Sequence, residues 1–403
     1  MSATLAARQR IERLLAALER ALVPGCVAHA ELVARLHETT SLSPPGVEWA
    51  LEHCLERAPS HAELTALIGG VARAPRAHVI LPGSVFVAAH RALALGLAAA
   101  PRVFVKPSRR DPALIEALHR EDPELFQLVE RIEPQAGDHV FAYGSDVTIE
   151  SLRRELPAGS VLHAHGTGFG VAIVELDAAA TDLDARALAV DRGGAARRAN
   201  GAGASAAAAE LPPDETRLAR VARAIAEDVA CFDQRGCLSP RFVLALGADA
   251  AALAFAEQLA AALAEREGSL PLGRLDPSER AEITWYRQCA AYAGQLLPAG
   301  SGAVSVRASS AAAALLGNDG ALGLEVPPSG RHLEVLAIAR LEPAIRALRP
   351  WITSAGCSSA RVESLITPWL GSVRVTRVGQ MQRPPFDGPV DRRGSPLGEI
   401  IRR

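Results

Sequence analysis

With 403 residues, 49% of them apolar, the chain can bury a large core, and its length suggests two or three domains. The formal net charge of −2 is spread evenly, which excludes the basic footprint of a nucleic-acid binder, and no apolar run reaches the ~18–20 residues of a membrane span. Cys26, Cys54, Cys231, Cys237, Cys289 and Cys357 are scattered without Cys-x-x-Cys spacing, so neither a zinc site nor a disulfide framework is expected, and a reducing cytoplasmic setting suits them.

Along the chain, residues 1–70 read as a helical lead-in. Ile11, Leu14, Leu15, Leu18 and Leu22 alternate with Glu12, Arg13, Glu19 and Arg20, an amphipathic pattern unlike a signal peptide. From there strands and helices alternate. His78–Leu81 is a predicted strand, 86–99 a helix and Arg102–Val105 a second strand, after which a helix opens at Asp111-Pro112. Asp138–Tyr143 gives another strand, 145–155 a helix, and Val161–His165 and Val171–Leu176 two further strands. This alternation implies a parallel sheet of nucleotide-binding layout and assigns 71–210 to a dinucleotide-binding domain.

Three strand ends in this region carry candidate groups. Lys106, Ser108 and Arg109 follow a predicted strand, where ligands gather at the carboxyl edge of an open sheet, although a solvated basic loop reads the same way. Gly144 and Ser145 precede a helix whose first N–H groups could meet a pyrophosphate, with Thr148 offering a hydroxyl; an ordinary tight turn is the plainer reading. His165 ends a strand in a Gly-rich loop, as a proton-handling group or as a histidine bonded to backbone.

Residues 177–214 depart from the pattern as a Gly/Ala-rich insertion and a natural boundary. A catalytic domain is assigned to 215–345. It opens with Leu218, Val221, Ala222, Ile225, Ala226 and Val229 at helical spacing, and continues through a short polar turn into the apolar run Phe242–Leu246. The turn holds Cys237, either a nucleophile fixed yet reachable between two packed elements or a small buried hydrophobe. Helices are expected at 249–266 and 277–294, the second capped by Asp276-Pro277 with Glu279 at its third position.

The turn itself, Phe232-Asp233-Gln234-Arg235-Gly236-Cys237-Leu238-Ser239-Pro240, resembles the signature of the LuxC family of long-chain acyl thioester reductases, which share the aldehyde dehydrogenase fold. Val105–Pro112, Ala142–Ile149, His165–Gly170 and Gly379–Asp387 are similar to further family stretches in the same order. The resemblance implies an α/β enzyme with a Rossmann-like nucleotide-binding domain and an α/β catalytic domain, the chain returning to the first domain over 346–403. It implies reduction of an acyl-CoA or acyl-carrier-protein thioester to an aldehyde through an acyl group on Cys237, with His165 beside the thiol. Arg109 and Arg110 stand in the region where, in the wider fold, an acidic residue favours NAD, and they point to NADPH over NADH. An acyl-activating synthetase partner and homo-oligomerisation are further implications. Two departures stand out. Ser84 replaces the asparagine whose amide helps bind the oxyanion, and Val390 falls in the segment where the family carries Trp-Pro-His-Asp-Gly. They motivate an alternative, an acyl-binding or acyl-transferring subunit that does not reduce.

Overall fold

The lead-in folds as four helices, Ala3–Ala21, Val27–Thr40, Pro44–His53 and His61–Gly70, in a computed structural model that describes residues 3–83, 85–177, 216–316, 325–395 and 397–402. Ser43 caps the third helix with Pro44 in its first turn, and Ser60 with Glu63 forms a full capping box on the fourth. The inward stripe Ile11, Leu14 and Leu18 is fully buried, and the first helix packs on the helices Ala88–Ala99 and Ala113–Glu121. That last helix begins two residues after Asp111, whose carboxylate accepts from the Ala113 N–H and is pushed up to about 6 by burial. The Gly/Ala-rich insertion lies, apart from Asp177, outside the described residues.

Strands β1 (Arg76–Ile80), β2 (Arg102–Lys106), β3 (Gln127–Leu128), β4 (His139–Tyr143) and β5 (Val161–His165) are mutually parallel. Then β6 (Phe169–Glu175), β7 (Pro240–Leu246), β8 (Gln295–Ala299), β9 (Gly302–Arg307), β10 (His332–Ile338), β11 (Ile352–Cys357) and β12 (Arg374–Arg377) build a second sheet, parallel except for the β8–β9 hairpin. Its order is β12-β11-β6-β7-β10-β9-β8. β13 (Glu399–Arg402) returns antiparallel to β5, so the first sheet runs β13-β5-β4-β1-β2-β3. Its order reverses between β1 and β4, which opens a crevice at their carboxyl ends where open α/β sheets take ligands.

Strand membership divides the chain elsewhere than the pattern suggested. The changeover between sheets falls at Gly166–Gly168, not near residue 210, and β11 and β12 belong to the second sheet, leaving β13 as the strand that returns. Strands covered on both faces are uniformly apolar, so their sequence carries no mark of which sheet they join. In the second sheet one face buries Val174, Val243 and Val335 against the helices Arg217–Ala230 and Asp249–Ser269. The other buries Ile173, Phe242 and Leu336 against Leu341–Leu348 and Ala360–Leu370.

Candidate active site

The turn that carries Cys237 is built on backbone that only a well-braced loop tolerates. After the helix Arg217–Ala230, Phe232, Asp233 and Gln234 adopt φ of 54°, 49° and 64° in succession. Left-handed residues with a Cβ cost roughly 1–2 kcal/mol each, and each of these side chains has a partner that holds it. Phe232 packs edge-on against Phe86 at 5.8 Å. Asp233 pairs with the buried Arg331 at 2.8 Å and accepts from the Gly273 N–H. The Gln234 amide donates to the carbonyls of Pro240 and His332 and accepts from the His332 N–H. Arg235 grips Glu279 at 2.9 and 3.2 Å and the Arg274 carbonyl at 2.8 Å, so it fixes the turn and its guanidinium is committed away from the thiol.

Cys237 emerges from this brace exposed to a cleft of about 660 Å³ between the two sheets. Its carbonyl accepts from the Thr353 hydroxyl, and its Sγ points toward the Val390 carbonyl at 3.9 Å. Although reachable from the cleft, the sulfur is walled by protein, and this desolvation, with the Asp391 carboxylate nearby, pushes the thiol up to about 11. The resting group is therefore a thiol, and any nucleophilic use of it requires ionisation within the cleft.

The carboxyl ends of the first sheet supply the facing wall. Gly144, Ser145, Thr148, His165 and Ser108 all line the cleft. Ser145 caps the helix Asp146–Glu155, its Oγ accepting from the Thr148 N–H at 3.2 Å. A Cβ on Gly83 would lie 2.5 Å from Ser108 Oγ, so β1 leaves the sheet through a gap that a side chain would close. Lys106 ends β2 half-buried, and neither it nor the exposed Arg109 lines the cleft; Arg110 does, with Asp276 at 3.8 Å. Ser84 lies outside the described residues. Both ring nitrogens of His165 are buried without a hydrogen-bond partner among the described residues, and burial lowers its pKa to about 3, so the ring is neutral.

The remaining wall is a C-terminal strap, and sequence reasoning missed what holds it. Arg374 donates to the carbonyls of Met381, Gln380 and Arg383 at 2.6, 2.7 and 3.1 Å. Asp228 accepts from the N–H groups of Gly379 and Met381, and its burial raises its pKa to about 7. Arg91, on the helix Ala88–Ala99, which is apolar apart from Arg91 and the neighbouring His90, donates to Pro384 and Gly388 carbonyls while paired with Glu56. These buried charges carry the strap over Cys237 and bring the Val390 carbonyl to its sulfur. Asp228 ends one apolar helix face and Arg91 interrupts another, which is the signal a charge inside a core-facing stripe gives.

The sequence model of the acyl-CoA reductase (LuxC) family matches residues 205–391. No curated protein sequence matches the chain. Among solved structures, an oxidoreductase from Marinobacter aquaeolei is similar with a TM-score of 0.64 at 11% identity, over 96% of this chain and 80% of that one. Lactaldehyde dehydrogenase from Escherichia coli gives 0.60 at 14% identity, over 100% and 86%. An NAD-dependent aldehyde dehydrogenase from Sinorhizobium meliloti gives 0.59 at 15% identity, over 94% and 75%. Over residues 205–391 the chain is similar to the acyl-CoA reductase (LuxC) family, and it carries an aldehyde dehydrogenase-like fold.

Proposed function

We propose that the protein reduces a fatty acyl thioester, borne on coenzyme A or an acyl carrier protein, to the free aldehyde with NADPH, through an acyl group on Cys237. The observation that carries this reading is Cys237 itself: a braced, exposed thiol in a cleft whose opposite wall is the switch point of a Rossmann-like sheet. The ionised sulfur adds to the thioester carbonyl carbon. The bond to the carrier sulfur then breaks, and the carrier thiol leaves with a proton. A reduced nicotinamide, when bound, supplies the hydride that the acyl carbon needs. Collapse of the thiohemiacetal oxyanion breaks the bond to Cys237 and releases the aldehyde.

The facing wall suits a dinucleotide. The start of the helix Asp146–Glu155 offers its first-turn backbone to a pyrophosphate beside Gly144, whose own N–H is given to the His165 carbonyl, and a side chain at Gly83 would crowd the Ser108 hydroxyl. Arg110 is the cation on this wall, and a guanidinium matches a 2′-phosphate, which supports NADPH. Among the described residues lining the cleft, Glu56 is the one carboxylate and is tied to Arg91, while the nearby Asp391 carboxylate is buried and accepts from the Arg393 N–H, so neither is free to activate water.

The test is stepwise. Tetradecanoyl-CoA alone should add one acyl mass that maps to Cys237, and NADPH should then discharge it as tetradecanal. An adduct that NADPH leaves in place would support the non-reducing alternative, and no adduct would overturn the reading.

A further inference from the structure

Tyr143 ends β4, one residue before the Gly144-Ser145 turn, and lines the same cleft as Cys237. The sheet register pairs it with His165, and the two rings stack at 4.1 Å with an interplanar angle of 5°. Its ring therefore has a packing role that phenylalanine would fill equally well. Its hydroxyl does not share that role: it is buried and has no hydrogen-bond partner among the described residues. A buried O–H without an acceptor is costly and rare, which asks what acceptor it meets during the reaction.

The groups whose charges reach this hydroxyl are Arg91, Asp391, Cys237 and Glu56. Of these, Cys237 gains an acceptor when it works. At rest its sulfur faces the Val390 carbonyl, a sensible neighbour for an S–H donor. Once ionised, the sulfur has no proton to give and is repelled by that oxygen, so it needs a donor. Arg91 is already committed to Glu56, Pro384 and Gly388. His165 carries unpartnered nitrogens too, but a phenol O–H is a more acidic and stronger donor to a thiolate than the N–H of a neutral imidazole.

We propose that the Tyr143 hydroxyl donates a hydrogen bond to the ionised Cys237 sulfur, which makes Tyr143 a catalytic residue that holds the nucleophile in its reactive form. The inference rests on reading Cys237 as the nucleophile and is tested without substrate.

The experiment follows alkylation of Cys237 by iodoacetamide from pH 7 to 10, read by peptide mass, in the wild type, Tyr143→Phe and Tyr143→Leu. The surrounding groups are Arg91 on the helix Ala88–Ala99, Glu56 after Pro44–His53, His165 on β5, and Asp391 with Arg393 on the strap; they are unchanged in all three proteins. Tyr143→Phe should melt no lower than the wild type. It should alkylate on the order of tenfold more slowly at pH 8, its profile moved about one unit upward, which is one charge-assisted hydrogen bond. Tyr143→Leu should be no slower than Tyr143→Phe. Superimposed wild-type and Phe profiles would overturn the proposal, and slowing confined to Leu would assign the residue to ring packing instead. Acylation by tetradecanoyl-CoA is scored separately, so a shifted profile without acylation would sink the reductase reading and leave this one standing.

Discussion

At the scale of single residues the site depends on charges buried where an apolar side chain would pack more cheaply. Arg91 is 5% exposed, its partner Glu56 16%, and burial raises the Glu56 pKa against the pull of that guanidinium. Removing one partner strands the other. Arg91→Met should therefore cost about 3–5 kcal/mol in urea unfolding. Arg91→Met combined with Glu56→Gln should recover most of that loss, since no uncompensated charge remains. A single variant as stable as the wild type would show that the pair does not brace the strap. The sequence placed Arg91 on a helix but gave no sign of its partners, because Glu56, Pro384 and Gly388 are remote in the chain. Cys237 was legible for the opposite reason: its brace is local, a nine-residue signature between a helix and a strand.

At the scale of elements, much of the first sheet was readable. Val161–His165 forms β5 with the expected bounds, and the expected helix at 277–294 is observed as Pro277–Ala293 with its capping box intact. Alternation and caps are local signals, and they survive folding. The Cys237 turn shows where this ends. Three consecutive left-handed residues without glycine contradict local preference, and only their partners on β10 and around residues 273 and 331 make them affordable. The same limit applies to the strap, whose path is set by Arg374, Asp228 and Arg91 from three separate elements. Sheet membership was illegible because both sheets bury their strands on two sides.

At the scale of the whole molecule, the buried histidines set how the fold meets acid. His90, His163 and His165 are lowered to about 3 and His332 to about 4, each chiefly by burial. Their folded pKa lies below the unfolded value, so the stability they contribute is present above about pH 6.5 and lost as the pH falls. Asp228, raised to about 7, and Asp111, raised to about 6, act with the opposite sign: their contribution is lost as the pH rises through those values. Between pH 7 and 5 these four histidines lose ~8 kcal/mol and these two carboxyls regain ~4. His53, His78 and His139, lowered by burial, add to the loss and Glu56, Glu334 and Asp391, raised by burial, add to the gain, a net loss on the order of a few kcal/mol. Urea unfolding at the two pH values should show that fall, and equal stability would mean that the histidines are charged or hydrated in the fold.

The central claim joins the two sheets: Cys237 from one and a dinucleotide wall from the other act on a single acyl group. Its most direct measurement is steady-state NADPH consumption with tetradecanoyl-CoA, with the aldehyde trapped and identified, in the wild type beside Cys237→Ala. The expected result is one tetradecanal formed for each NADPH consumed by the wild type and none by the variant. Aldehyde formed at an undiminished rate by Cys237→Ala, or no aldehyde from a wild type that binds both substrates, would contradict it.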